Sequence, residues 1–188
     1  MNNLTEKIAN TLKLLRHQHG WSLDTTSKKT GVSKAMLGQI ERGESSPTIA
    51  TLWKIASGFE VSFSSFLEDL GPNQDDFIHR KQDLKQMHEH DDKIRIMPLF
   101  TYNEQLGFEA FIIELLPGCE HLSSPHQTGV IEHIIVSSGE IEVLINGVWH
   151  AVKQNEGLRF AADKPHGYRN LSSTPAVFHD MIHYRSSP

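Results

Sequence analysis

Three side chains near the start of the chain have the chemistry to read the edges of base pairs. Lys34 can donate hydrogen bonds to guanine, Gln39 can pair with adenine through its amide, and Ala35 can touch the methyl group of thymine. Positions 35 and 39 are one helical turn apart, so the three side chains fall near one face of a helix. This chemistry therefore requires a short exposed helix that begins after Ser33 and ends near Gly43.

The surrounding residues predict that helix and a second one before it. Ser22 and Ser33 each stand where a helix would begin, because a serine hydroxyl can accept an unpaired backbone N–H of the first turn. Gly31 suits the turn between the helices, and Gly43 suits the end of the second helix. This length and punctuation are typical of a helix-turn-helix, whose second helix enters the DNA major groove. An ordinary helical hairpin that binds nothing is the alternative.

Further helices on both sides favour the DNA-binding interpretation. Apolar residues recur at helical spacing before and after the motif: Leu4, Ile8, Leu12 and Leu15, then Ile49, Leu52, Ile55 and Ala56. The run from Gly31 to Gly43, followed by Ser-Pro-Thr at 46–48 and Leu-Trp-Lys-Ile-Ala at 52–56, resembles the phage-repressor-like (XRE) helix-turn-helix family. The resemblance covers roughly residues 4–70.

Contacts with DNA phosphates position a protein without specifying sequence, and polar side chains around the motif suit that task. The candidates are Ser22, Ser33, Arg42 and Thr48. We expect Glu41 to serve the fold by pairing with a basic side chain of the same domain.

The charge of the chain is divided between its two parts. The net charge is −5, but residues 1–58 hold eight Lys and Arg against four acids, whereas the remainder holds ten against nineteen. The basic part suits phosphates, and the acidic part should not lie along them. The single cysteine, Cys119, excludes an internal disulfide. With no apolar run near ~20 residues and no signal-peptide core, we expect a cytoplasmic protein without a membrane partner.

The second part of the chain has the sequence pattern of β-strands. Segments 94–100, 108–116, 131–136 and 141–145 are rich in β-branched and aromatic residues and are separated by turn sequences. Such a pattern predicts a closed or sandwiched β domain with a ligand-sized cavity. The fold class is thus α + β, with an all-α bundle at residues 1–70 and a β barrel at 93–188. The polar residues 71–92, which include Gly71-Pro72, read as a linker.

Two segments of the strand-rich part resemble the two motifs of the cupin family, which are small jelly-roll barrels. The first runs from His126 through Glu132 to Gly139, and the second from Gly157 through His166 to Asn170. The resemblance implies that His126, Glu132 and His166 point into the barrel at a divalent metal, either zinc, iron, manganese or nickel. Thr128, a poor ligand, occupies the family's second histidine position. The alternative is a metal-free barrel in which the same groups bind an organic ligand by hydrogen bonds.

Strand alternation predicts which other side chains line the cavity. His133 is adjacent to Glu132 and should point to the opposite face. Near the end of the chain, residues 177, 179, 181 and 183 alternate with 178, 180, 182 and 184, and one set should face inward. We expect His179 and Met181 in the ligand pocket together with Thr128, and a simply packed strand is the alternative.

A repressor-like helix-turn-helix followed by a small cupin domain resembles an architecture of bacterial transcriptional regulators. Four runs, at 20–23, 32–42, 125–133 and 159–163, are similar to sulfur-utilisation regulators of this architecture. The likeness implies a small-molecule effector, such as a sulfur-containing amino acid, together with a double-stranded DNA operator and a homodimer. A cupin-type metal-dependent enzyme, or a barrel that serves only to dimerise the chain, are the alternatives.

Overall fold

The computed structural model describes residues 3–67, 77–84, 87–88 and 93–184 of the chain. The chain divides into two compact units, Met1–Asp69 and Leu70–Pro188. The first is helical and the second is built of antiparallel strands, which confirms the predicted fold class. Most of the predicted linker, residues 71–92, lies outside the described residues. Its described Met87–His88 pair with Ile96 and Arg95, so strand pairing begins before the predicted boundary at residue 93.

Capping side chains define the helices of the first unit. The helices are α1 (Asn3–Gln18), α2 (Leu23–Thr30), α3 (Lys34–Glu41) and α4 (Ile49–Phe59), with a 3-10 helix at Phe63–Phe66. Ser22, Ser33 and Thr48 each accept a hydrogen bond from the backbone N–H three residues later. Gly31, with φ of 69°, ends α2 in the left-handed region. Helices α2 and α3 are therefore the predicted helix-turn-helix pair.

The helices enclose one apolar core. Its most deeply buried large members are Ile8, Leu12, Leu37, Ile40, Ile49, Leu52, Ile55, Phe63, Phe66 and Leu67. Trp53 stacks on Phe63 with ring centroids 4.3 Å apart. Gly58 of α4 lies so close to Thr30 of α2 that a Cβ would come within 2.7 Å of the Thr30 Cα. The glycine thus permits the two helices to approach, which holds the helix-turn-helix pair against the core.

A nearly buried ion pair ties α1 to the end of α3. Arg16 Nε donates to Glu41 Oε1 at 2.6 Å, Arg16 Nη2 donates to Oε2 at 3.0 Å, and Nη1 donates to the Trp21 carbonyl at 3.1 Å. The two side chains are only 15% and 9% exposed. This geometry confirms the expectation that Glu41 pairs with a basic side chain inside its own domain.

Replacing Glu41 by Gln should lower the free energy of unfolding by about 2–3 kcal/mol, because Arg16 would keep its burial and lose its counter-charge. Urea unfolding followed by tryptophan fluorescence would measure the loss. The matched control is Glu44→Gln, since Glu44 pairs with Arg42 at an exposed position where such pairs contribute little. An equal loss in both variants would show that the Arg16–Glu41 pair acts only as a surface contact.

The second unit consists of two antiparallel sheets. The strands are β1 (Met87–His88), β2 (Ile94–Asn103), β3 (Phe108–Leu115), β4 (Cys119–Ser123), β5 (Ile131–Ser138), β6 (Glu140–Ile145), β7 (Val148–Lys153), β8 (Gly157–Ala161), β9 (His166–Asn170) and β10 (Ala176–His183). One sheet has the order β1-β2-β3-β10-β5-β8 and the other β4-β9-β6-β7. Their inner faces meet at Tyr168 of β9 and Phe178 of β10, whose ring centroids are 5.5 Å apart. This is the predicted jelly-roll arrangement.

None of the described helices has the length and apolar character of a bilayer span, and α1, the longest, has 16 residues.

Candidate functional site

Helix α3 presents the three residues that were expected to contact bases. Lys34, Ala35 and Gln39 are all exposed, whereas Leu37, Gly38 and Ile40 on the same helix are buried. Met36 is also exposed, at 41%, and sequence reasoning did not select it. Met36 lies next to Ala35 at the start of the helix, and an exposed apolar side chain there can touch a thymine methyl group. Its position in the sequence could therefore have identified it as a candidate for base contact.

The cationic candidates of this surface are paired with acids of the same unit. Lys34 Nζ lies 2.7 Å from Asp24 Oδ2, and Arg42 forms two hydrogen bonds to Glu44 at 2.8 and 2.7 Å. Lys34 and Arg42 each remain 58% exposed. Exposed pairs of this kind are weak, so DNA phosphates or bases can replace the acids without a large penalty.

Three buried side chains converge inside the barrel. His126 Nε2 lies 2.8 Å from Glu132 Oε1, and His166 Nε2 lies 3.4 Å from the same oxygen. The possible ligand atoms of the three residues all fall within 4.8 Å of one another. The structure therefore brings together the set that the cupin resemblance implied.

Local structure holds each of these side chains in place. His126 precedes β5, and its backbone N–H donates to the Ala162 carbonyl at 2.9 Å. Glu132 lies on β5 and accepts a hydrogen bond from the Tyr168 hydroxyl. His166 begins β9, and its Nδ1 lies 2.8 Å from the Lys164 carbonyl. A carbonyl can only accept, so Nδ1 carries the hydrogen and directs the Nε2 atom toward Glu132.

The donor set fits a divalent transition metal. His166 Nε2 is buried and forms no hydrogen bond among the described residues. Buried polar atoms are normally satisfied, so this nitrogen is suited to a ligand bond. Two imidazoles and one carboxylate suit zinc, iron, manganese or nickel and leave coordination positions open. The carbonyl that orients His166 is the kind of outer partner that metal-bound histidines use.

Burial and mutual contact shift the pKa values of the three groups. Burial alone raises the pKa of Glu132, but contacts with His126 and His166 outweigh it and hold that pKa well below its usual range. Burial lowers the pKa of His126 despite the carboxylate. Burial also acts to lower the pKa of His166, but Glu132 and the Lys164 carbonyl together outweigh it and the net shift is upward. At neutral pH the site therefore offers an ionised carboxylate and a neutral His126.

None of the three predicted pocket residues lies in the buried interior. On β10, burial alternates so that Phe178, Asp180 and Ile182 face the interior while His179 and Met181 face outward. The expectation that His179 and Met181 line the pocket is therefore wrong. Thr128 is exposed in the turn between His126 and Glu132, so it does not join the buried group, and its pocket role stays a prediction. Within this turn the Gly129 N–H donates to Asp163 Oδ2 at 3.2 Å, which holds the backbone next to Thr128.

The interior holds polar residues that sequence reasoning did not select. The buried members are Glu109, His121, Ser123, Tyr168 and Asp180. Alternation in β4 and β10 places His121, Ser123 and Asp180 on inner faces, and strand pairing sets Glu109 opposite Ile182 and Tyr168 opposite His121. In β3 and β10 the sequence signal was a carboxyl residue that recurs in step with apolar residues at every second position. The alternation rule did place His133 correctly, because it lies half-buried on the face opposite Glu132.

Comparison with known proteins accounts for both units. The sequence profile of the Helix-turn-helix family matches residues 12–66, and that of the Cupin domain family matches residues 111–182. The HTH-type transcriptional regulator SutR of Escherichia coli (strain K12) is 45% identical over 187 residues, which are 100% of both chains. This chain belongs to the HTH-type transcriptional regulators that carry a cupin domain.

Two further relatives show how far each unit is shared. The crystal structure of an HTH_3 family transcriptional regulator from Vibrio cholerae superimposes with a TM-score of 0.85 at 46% identity, covering 97% of this chain and 98% of that one. Antitoxin HipB of Escherichia coli (strain K12) is 33% identical over 58 residues, which are 31% of this chain and 66% of HipB. The regulator's architecture is thus shared along the full chain, whereas HipB shares a segment only.

Asp180 makes the stability of the regulator's barrel depend on pH. Burial, together with the charges of Glu132 and Glu109, raises the pKa of Asp180 well above its usual value. The folded state therefore keeps a proton that the unfolded chain loses above about pH 4. Because folding then requires proton uptake, stability falls as the pH rises above that value, until Asp180 ionises in the folded state.

An Asp180→Asn variant should remove this penalty. We expect a higher free energy of unfolding than in the wild type at pH 8, by about 1.4 kcal/mol for each unit by which folding raises the pKa, and no gain at pH 4. Urea unfolding at the two pH values would test this. Glu114→Gln is the matched control, because Glu114 pairs with Arg95 on the outer face of β3. If the gain in free energy of unfolding over the wild type is no larger at pH 8 than at pH 4, the raised pKa of Asp180 is contradicted.

Proposed function

We propose that the regulator binds a double-stranded operator as a homodimer in the cytoplasm and senses a small metabolite in its barrel. The proposed effector is a sulfur-containing amino acid, bound through a divalent metal held by His126, Glu132 and His166. The observation that carries the proposal is the convergence of three buried ligand atoms within 4.8 Å. The runs that resemble sulfur-utilisation regulators support the effector class. Sulfur is also a suitable ligand for zinc and iron.

The proposed DNA contacts use both ends of the helix-turn-helix. Lys34, Ala35 and Gln39 would face base edges, where each makes a different contact. The proposed phosphate contacts are Ser22, Ser33, Arg42 and Thr48. The hydroxyls of Ser22, Ser33 and Thr48 already cap helices. Their proposed contacts to phosphate would therefore be made by the helix N-termini that these hydroxyls stabilise. A second copy of the chain would place a second α3 about 34 Å away, on the next turn of the groove.

The effector would act by changing the preference between two arrangements of the dimer. Only a difference in affinity for the two arrangements can do this, with a coupling of about 1–3 kcal/mol in typical cases. When bound, the metal would supply a Lewis acid to which a sulfur or carboxylate of the effector can coordinate. The buried Tyr168 hydroxyl, whose pKa is raised by burial and by Glu132, stays protonated and keeps the carboxylate oriented.

Thermal unfolding in the presence of candidate effectors tests this function. The probes are L-cysteine, L-cystine and L-methionine, each with and without Zn²⁺, Fe²⁺, Mn²⁺ or Ni²⁺. A probe that binds the folded protein raises its melting temperature by mass action. We expect a shift in the wild type and none in the triple variant His126→Ala/Glu132→Ala/His166→Ala. No shift in a folded wild-type protein that still binds DNA would contradict the sensor role and favour a barrel that only dimerises.

The same samples separate sensing from catalysis. We propose that the barrel binds its effector without converting it, so the probe should be recovered chemically unchanged and in a fixed ratio to protein. Mass spectrometry of the bound and free fractions measures this. Turnover of the probe, in amounts exceeding the protein, would contradict the proposal and point to a metal-dependent cupin reaction.

A further inference from the structure

Three buried carboxyl groups lie side by side on the inner face of the larger sheet. Glu109 is on β3, Asp180 on β10 and Glu132 on β5, and they are 0%, 3% and 0% exposed. In the strand register, Ile182 of β10 is opposite both Glu109 and Glu132, and Asp180 is two residues further along β10. Asp180 is therefore a diagonal neighbour of both glutamates, at about 7–8 Å between Cα atoms.

The two glutamates have polar partners, whereas one carboxyl oxygen of Asp180 has none among the described residues. Glu132 contacts His126, His166 and Tyr168, and Glu109 accepts a hydrogen bond from the Tyr184 hydroxyl. Asp180 Oδ1 is buried and has no hydrogen-bond partner among the described residues. A buried polar atom without a partner is costly, and in native proteins it is normally matched by water or a ligand.

Among the described residues, the strands beside Asp180 carry no Lys or Arg on their inward positions. The inward positions of β3, β5 and β10 carry these three acids and otherwise apolar residues, with no Lys or Arg: Phe111, Ile113, Leu115, Ile134, Val136, Ala176, Phe178 and Ile182. Within the described part of the chain, Asp180 and Glu109 also do not join a group of three ligands close enough to hold a metal ion. The missing partner is therefore better matched by an organic cation than by a metal.

We propose that the barrel binds the ammonium group of its effector at Asp180, between the charges of Glu109 and Glu132. An ammonium group supplies hydrogen-bond donors and no acceptor, together with one positive charge, which suits an unpartnered carboxylate oxygen among acids. The proton that Asp180 keeps in the ligand-free folded state would leave to solvent when the ammonium binds. An anionic effector without an ammonium group would be repelled there. This inference deepens the proposed function and rests on it, since the α-ammonium of an amino acid would occupy Asp180 while its sulfur or carboxylate faces His126 and His166.

Calorimetric titration of the full-length, metal-loaded regulator tests the inference. The probes are L-cysteine and L-methionine, their N-acetyl forms, which keep the sulfur and lose the ammonium charge, and L-norleucine, which keeps the ammonium and lacks sulfur. We expect a free amino acid to bind the wild type and its N-acetyl form to bind at least tenfold more weakly. Asp180→Asn should weaken binding of the free amino acid at least tenfold.

The Glu114→Gln variant serves as the control, because it removes a carboxylate from the outer face of the same sheet and should leave all affinities unchanged. Asp180→Asn keeps the size of the side chain, and its melting curve confirms that it folds. N-acetyl forms that bind as tightly as free amino acids, an Asp180→Asn variant that retains full affinity, or no binding by any ammonium-bearing probe would each overturn the inference.

The titrations separate this inference from the proposed function. If N-acetyl-L-cysteine binds the wild type and not the His126→Ala/Glu132→Ala/His166→Ala variant, the metal-site sensor holds and the ammonium site is wrong. If L-norleucine binds as well as L-methionine and loses affinity in Asp180→Asn, the ammonium site holds and the sulfur assignment is wrong.

Discussion

An Ala35→Glu variant should lose operator affinity by about a hundredfold or more while folding normally. Ala35 is exposed on α3, and a glutamate there would bring a negative charge to a groove lined by phosphates and base acceptors. A hundredfold loss corresponds to about 2.7 kcal/mol, within reach of one lost contact plus charge repulsion. Glutamate is a good helix former, so α3 should remain intact. Fluorescence anisotropy at fixed salt, with a duplex selected from a random pool, would measure the affinity.

The control adds the same charge to another exposed helical position, Asn10→Glu on α1. It should change affinity far less, because its effect would come only through the overall charge of the unit. A similar loss in both variants would show that α3 does not face the groove. Gln39→Ala should instead relax specificity at one base pair, and an equal weakening toward all duplexes would disprove its base-reading role.

Short-range sequence rules were sufficient to predict the helices of the first unit. The hydroxyls of Ser22 and Ser33 and the left-handed Gly31 are short-range devices, and each can be recognised within three or four residues of sequence. The pairing of Glu41 was predictable in kind, since a carboxylate near the end of a helix needs a cation. Its partner, Arg16, lies 25 residues away, and only the packing of α1 against α3 selects it.

Local rules were insufficient for the last strand. Alternation in β10 defines two faces, but it does not say which face is inside. That choice depends on pairing with β3 and β5, where Ile182 is set opposite Glu109 and Glu132. Shifting the inward-facing set of β10 by one residue would replace Phe178 and Asp180 in the interior by His179 and Met181. Ordinary expectation also places carboxylates outside, which is why Glu109 and Asp180 were not recognised as interior groups.

A Glu132→Gln variant should lose metal affinity by about a hundredfold or more. Glu132 is the only carboxylate of the three-ligand group, and both histidine Nε2 atoms lie within 3.4 Å of its Oε1. Loss of an outer partner of a metal ligand alone typically costs 10–100-fold, so loss of the charged ligand itself should cost more. The amide keeps the shape of the side chain, and its oxygen can still accept the Tyr168 hydrogen bond, so the barrel should still fold.

Competition with a chromogenic chelator, together with elemental analysis of the purified protein, would measure this affinity. The matched control is His133→Ala, because His133 neighbours Glu132 in sequence but lies on the outer face of β5 near His183. The control should bind metal as the wild type does. If Glu132→Gln retains full metal affinity, or if His133→Ala loses it, the interior site is not where metal binds. Ligand-induced stabilisation that survives in Glu132→Gln without metal would then assign sensing to hydrogen bonds in the barrel alone.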